Sequence, residues 1–144
     1  NGTEAVTRTF RVDASGSGLT ISKGDLVILD TTAGYVKKAG DGAASTSRWV
    51  GLAVSDSDET GSVDGTVEVL FSPSGLIVRG QATTVGNLVD AIELTLVTLD
   101  VSGGVQKVDE NDTSNGVLCV LDFDATSGAE TIDVVVPCHL VYQS

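Results

Sequence analysis

Side chains able to carry out chemistry are scarce in this sequence. His139 is the single histidine among 144 residues. Its neighbour Cys138 would point to the opposite face of a strand, so the two make a poor nucleophile–base pair. No catalytic residues are expected, and no enzymatic activity. Cys119 and Cys138 are too few for a disulfide scaffold and have no metal-ligand spacing; one disulfide between neighbouring strands and two small apolar thiols both fit. One Trp, two Tyr and three Phe supply little for the stacking platform of a glycan-binding surface. The glycine-rich pieces Gly16-Ser17-Gly18 and Gly40-Asp41-Gly42 lack the lysine and the helix of a phosphate cradle, so no cofactor is expected.

Positive charge is equally short. Eight basic residues stand against twenty acidic ones, giving a formal charge of −12 and a pI near 4.1. Such a body repels phosphate backbones and anionic headgroups, which argues against nucleic-acid and membrane partners. No apolar run approaches the roughly 18 residues that span a bilayer, and no charged-then-apolar signal segment stands at the start. The basic clusters are Arg8 with Arg11 and Lys37 with Lys38; on an acidic chain they read as a docking face or as a solvated strand face.

What is plentiful is valine, threonine and glycine: 22, 16 and 17 residues, with no methionine at all. β-branched side chains suit pleated surfaces, and frequent glycines suit tight turns. The expected fold class is therefore all-β, a small barrel or sandwich, with at most one short helix. The size fits one domain or two paired half-domains.

Internal repetition favours the second form. Residues 24 to 38 run from Gly24-Asp25-Leu26-Val27 through Leu29-Asp30 and a glycine turn to Tyr35-Val36-Lys37-Lys38, the pattern of a β-hairpin. Residues 86 to 108 echo it, opening at Gly86-Asn87-Leu88-Val89 and continuing from Leu99-Asp100 to Lys107. Further on, Gly51-Leu52-Ala53-Val54 returns as Gly116 to Val120, Val67-Glu68-Val69 as Ile132-Asp133-Val134, and Leu76-Ile77-Val78, after Pro73, as Leu140-Val141-Tyr142, after Pro137. This reading gives an N-terminal strand and flexible linker over residues 1–18, a first β module over 19–84 and a related second module over 85–144. A turn of helix is expected over Gly86–Ile92.

The N-terminal strand alternates, with Val6, Phe10 and Val12 on one face and Thr7, Thr9 and Arg11 on the other. It is either an ordinary edge strand or an arm that pairs with a neighbouring subunit. Leu19–Ser22 reads as a short strand. Asp56-Ser57-Asp58-Glu59-Thr60-Gly61 opens like a calcium loop, as does Asp122-Phe123-Asp124. The twelfth place, which needs a bidentate Glu, is Val67, so solvated hairpin loops are the plainer reading and no metal ligand is assigned.

From Gly24 to about Phe71 the order of features resembles the lambda-type capsid decoration, or head-stabilising, proteins of tailed bacteriophages. The likeness is carried by Leu29-Asp30-Thr31-Thr32 entering a turn, Tyr35-Val36-Lys37 leaving it, the Asp41-Gly42-Ala43-Ala44 loop, and the strand Gly51-Leu52-Ala53-Val54. About a third of the chain is covered. The resemblance implies a β-tulip-like module without catalysis, a virion structural or cement protein that forms a homotrimer. Its place would be the outer surface of the capsid, where it binds the major capsid protein and stabilises the expanded head. In that family the N-terminal arm contacts the shell, which makes Val6, Arg8, Phe10, Arg11 and Val12 the candidate contact residues. The present chain is longer, and its second copy has no place in that pattern. A carbohydrate- or cell-surface-binding β module of a viral fibre or bacterial surface protein is the alternative.

Overall fold

The structure is a computed structural model and describes residues 5–14, 20–32, 34–40, 42–43, 47–128 and 130–139. The first part of the chain sets most of its valines in strands. β1 (Val6–Val12), β2 (Leu26–Leu29), β3 (Tyr35–Lys38), β4 (Trp49–Ala53) and β5 (Gly65–Phe71) close into a barrel in the order β1-β3-β2-β4-β5. β2 and β3 form the expected hairpin, Leu29 facing Val36 across it. β1 runs antiparallel to β5 along its whole length, from Val6 opposite Phe71 to Val12 opposite Gly65. At its far end it turns parallel to β3, with Arg11 beside Tyr35 and Val12 beside Val36. Alternate residues of these strands point inward, and Val12, Val27, Val36, Val67 and Val69 fill the interior with Ile21, Val50 and Ala53. Each of these valine and isoleucine side chains removed from water contributes about 1.5–3 kcal/mol.

Thr20 to Ser22 is not a strand, contrary to the expectation for Leu19–Ser22; Leu19 itself lies outside the described residues. Ile21 is fully buried, and its backbone is held by Ser57, whose amide and hydroxyl both reach the Ile21 carbonyl while the hydroxyl oxygen accepts the Ile21 N–H. The segment plugs the barrel without joining its ladder.

β6 (Leu76–Gln81), β7 (Leu96–Ser102), β8 (Val105–Asp109), β9 (Leu118–Asp124) and β10 (Thr131–Val136) form a second five-stranded sheet in the order β6-β10-β9-β7-β8. Its two ends meet in a parallel bridge between Ala82 and Val108, so this sheet too is nearly closed. The β7–β8 turn is Gly103-Gly104, both with positive φ, as a two-residue primed turn requires. Two single-turn 3-10 helices, Val85–Asn87 and Asp90–Ile92, stand where one turn of helix was expected.

The two sheets repeat one topology strand for strand. β6 takes the place of β1: it is antiparallel to the last strand of its own set and meets the third strand in parallel. Matching the registers makes Val12 equivalent to Ala82, Val27 to Val97, Val36 to Val108, Ala53 to Val120 and Val69 to Val134, and all ten are buried. The equivalence of Val67-Glu68-Val69 with Ile132-Asp133-Val134 stands. That of Gly24–Val27 with Gly86–Val89 does not: Val85–Asn87 is a 3-10 turn, and the strand equivalent to β2 begins at Leu96.

Contacts divide the chain into two compact units, one of Asn1–Ala39, Ser47–Gly75 and Pro137–Ser144, the other of Gly40–Thr46 and Leu76–Val136. The expected boundary at 84/85 therefore moves to 75/76, because β6 has its ladder with β10. Residues 1–4 and 15–19 of the proposed arm and linker, and Leu140-Val141-Tyr142, lie outside the described residues.

Two equivalent positions carry buried charge. Lys38, 4% exposed, pairs with Asp25 at 2.8 Å. Glu110, 3% exposed, accepts the Thr83 and Thr84 amides at 2.9 and 2.7 Å together with the Thr83 hydroxyl. Each charge is compensated where it stands, as burial demands. Lys38 is thus removed from the solvated basic cluster that it forms with Lys37 in the sequence.

Gly51, Gly65 and Gly116 mark the closest backbone approaches. A Cβ on Gly51 would lie 2.1 Å from the Leu70 carbonyl oxygen, and one on Gly116 2.2 Å from the Leu96 carbonyl. Backbone cannot step aside as a side-chain tip can, so Gly51→Ala and Gly116→Ala are each expected to cost about 1–3 kcal/mol. Gly61→Ala, with nothing within 4 Å of the new atom, should leave the urea midpoint unchanged. Equal midpoints for all three variants would contradict this packing.

Candidate interaction surface

The five candidate contact residues on β1 meet different fates. Val12 is 5% exposed and belongs to the core, which withdraws it from any surface. Phe10 is half-buried and packs edge-on against Phe71, ring centroids 6.1 Å apart. Arg11 lays its guanidinium over the Tyr35 ring, 4.4 Å from the centroid, and donates to the Tyr35 hydroxyl and to Asp64. Val6 and Arg8 face solvent.

β1 is not an arm detached from the body. Its edge toward β5 is fully paired, and its edge toward β3 is paired at Arg11 and Val12. Among the described residues no strand pairs with that second edge from Val6 to Phe10. This stretch presents backbone donors and acceptors that no described strand takes up, with two apolar side chains, Arg8 and no carboxylate on the strand.

The acidic loop after β4 is structural. Asp56 accepts the Lys23 amide at 2.8 Å and Asp58 the Thr66 amide at 2.6 Å. Asp64 accepts the Tyr35 hydroxyl at 2.7 Å and the Ala14 amide at 3.2 Å. The Tyr35 hydroxyl, followed by the Ala14 amide, holds the Asp64 carboxyl below the ordinary carboxylate value, and the same bond raises the Tyr35 phenol. The carboxylates turn toward separate backbone groups, and among the described residues no three His, Cys, Asp or Glu side chains gather closely enough to hold a metal ion. Asp122 and Asp124 of β9 likewise accept the Phe123 and Thr126 amides.

His139 does the work of a strand residue. Its Nδ1 accepts the Trp49 N–H at 3.0 Å while its own N–H donates to the Trp49 carbonyl at 2.8 Å. Cys138 beside it is buried, Cys119 is half-buried on β9, and both are free thiols.

Sequence reasoning did not single out the surface of the second sheet. A shallow cavity of about 350 Å³ lies over Arg79, Asp122, Asp124 and Asp133. Within it the Arg79 guanidinium grips Asp133 with two parallel hydrogen bonds of 2.8 and 2.9 Å. That contact lowers the Asp133 carboxyl and raises Arg79. The signal that could have found the pair is cross-strand register, which places Arg79 opposite Asp133.

Comparison with known protein families, with curated proteins and with solved structures finds no match to this chain.

The Tyr35–Asp64 bond sets a pH dependence. Asp64 is lowered in the folded chain, so its stabilisation is present above the ordinary value of 3.8 and is lost as pH falls through the folded value. Tyr35 is raised, so its contribution is present below 10.0 and is lost as pH rises through its folded value. Urea unfolding of the wild type and Tyr35→Phe across pH should therefore show a stability difference that is greatest near neutrality and shrinks at both extremes. A difference independent of pH would contradict the bond.

Proposed function

We propose that this chain is a virion structural protein, a capsid decoration or cement protein that sits on the outer surface of a tailed-phage head. There it binds the major capsid protein lattice and stabilises the expanded shell. The observation that carries this reading is the open edge of β1 from Val6 to Phe10, a carboxylate-free, arginine-bearing strand in a chain of net charge −12. An extended segment of a partner adds to such an edge through backbone hydrogen bonds, and its alternate side chains supply specificity. Support also comes from part of the family resemblance: residues 29–32 and 35–37 fall on the β2–β3 hairpin and residues 51–54 on and just after β4, whereas the loop of residues 41–44 is not part of the first barrel.

The polar groups described above are engaged in structural contacts, which favours a binding role over turnover. The glycan-binding alternative has less to build on. Trp49 is fully buried, the Tyr35 ring is covered by Arg11, and Phe10 and Phe71 pack on each other.

The test is cosedimentation with tailed-phage heads stripped of their own decoration protein. Saturable binding to expanded heads and none to unexpanded proheads is expected, with Arg8→Glu weakening it by about tenfold, roughly the effect of one charge reversal at an interface. Equal binding of both head forms, or none to either by a folded protein, would overturn the reading.

A further inference from the structure

We propose that β6, with the apolar row beside it, is a two-fold docking surface for a second copy of this chain. Register places Ile77 opposite Val135, Val135 opposite Cys119 and Cys119 opposite Leu96, so four side chains run across β6, β10, β9 and β7 on one face of the sheet. The opposite face of these strands is the core, where Val134, Val120 and Val97 are at most 1% exposed. The row is open: Ile77 is 71% and Leu96 49% exposed, with Val135 and Cys119 half-buried between them. An apolar stripe crossing four strands marks a contact surface rather than scattered exposure.

The stripe ends at a backbone edge. β6 is laddered to β10, and among the described residues nothing pairs with its other edge before the bridge at Ala82. Folded proteins guard such edges with charge, proline or a bulge. Leu76-Ile77-Val78 has none of these. The row equivalent to the stripe in the first barrel begins with Thr7 and ends with Leu26, which is 4% exposed. An apolar stripe running out to an open edge is therefore a feature of β6.

Electrostatics permits the approach of a like copy at this place. Twenty acidic residues make the chain repel itself, yet Leu76–Gln81 contains no carboxylate; its one charge, Arg79, pairs with Asp133, and Asp122 and Asp124 stand around that pair, away from Leu76-Ile77-Val78 in register. An antiparallel pair of identical strands is two-fold symmetric by construction. Centred on Ile77, it sets Ile77 opposite its own copy and Leu76 opposite Val78, and moves Arg79 to the rim. The two stripes then join into one.

Native mass spectrometry and sedimentation equilibrium on the full chain test the proposal. A dimer that dissociates on dilution is expected. Ile77→Lys, a change at an exposed position that circular dichroism should show to be folded, should weaken it by at least about tenfold, and Val6→Lys on β1 should leave it intact. Facing residues in an antiparallel pair lie about 4.5–5.5 Å apart, within disulfide reach. Ile77→Cys in a Cys119→Ser background should therefore oxidise to a linked dimer, and Arg79→Cys should not. A monomer at every concentration, a trimer as the sole assembly, association indifferent to Ile77→Lys, or no cross-link at Ile77 would each overturn it.

Discussion

Closure by the first strand is the constraint on which both halves of this molecule depend. β1 reaches across sequence to lie along β5, and β6 does the same with β10. Without these pairings each remaining set of strands is an open sheet whose valine face meets water. Ladder and hydrophobic core are thus formed together, since the strand that seals the edge also supplies or covers the interior at Val12 and Ala82. Such long-range pairing is entropically costly before it is complete, which argues for barrels that form as whole units rather than strand by strand.

Around these closures the polar residues serve as fixings. Asp58 pins the start of β5, Glu110 collects the amides that follow β6, and His139 stands in for a backbone carbonyl at Trp49. A histidine nitrogen occupied as a hydrogen-bond acceptor is not available as a base, and carboxylates facing separate amides do not converge on a ligand. Among the outward features of the described residues are the β1 and β6 edges and the apolar row from Ile77 to Leu96.

Much of the fold was legible in the residues. Alternating Val and Thr located the strands, the Leu-Asp pairs and their glycine turns located both hairpins, and the recurrence of Val67-Glu68-Val69 as Ile132-Asp133-Val134 located the duplication. The errors share a cause. Periodicity tells which residues alternate but not which strand they face, so it places β6 with the module preceding it and leaves β1 as either an edge strand or an arm. Gly86-Asn87-Leu88-Val89 imitates Gly24-Asp25-Leu26-Val27 in letters, but Leu96–Leu99 has the partner that makes it β2's counterpart. The contact surfaces were less legible still. Ile77, Val135, Cys119 and Leu96 are separated in sequence and become one row only through register, while Lys38, charged and next to Lys37, is hidden by a carboxylate thirteen places earlier.

The clasp between Trp49 and His139 bears on how the molecule would carry load. After the second sheet is complete the chain returns at Pro137 to the unit that holds β1, so β6 to β10 form an insertion within it. Tension drawn between residue 5 and residue 139 passes first through the two hydrogen bonds at Trp49 and the β1–β5 ladder. While those hold, the inserted strands are mechanically shielded. They would begin to stretch only after the clasp has given way.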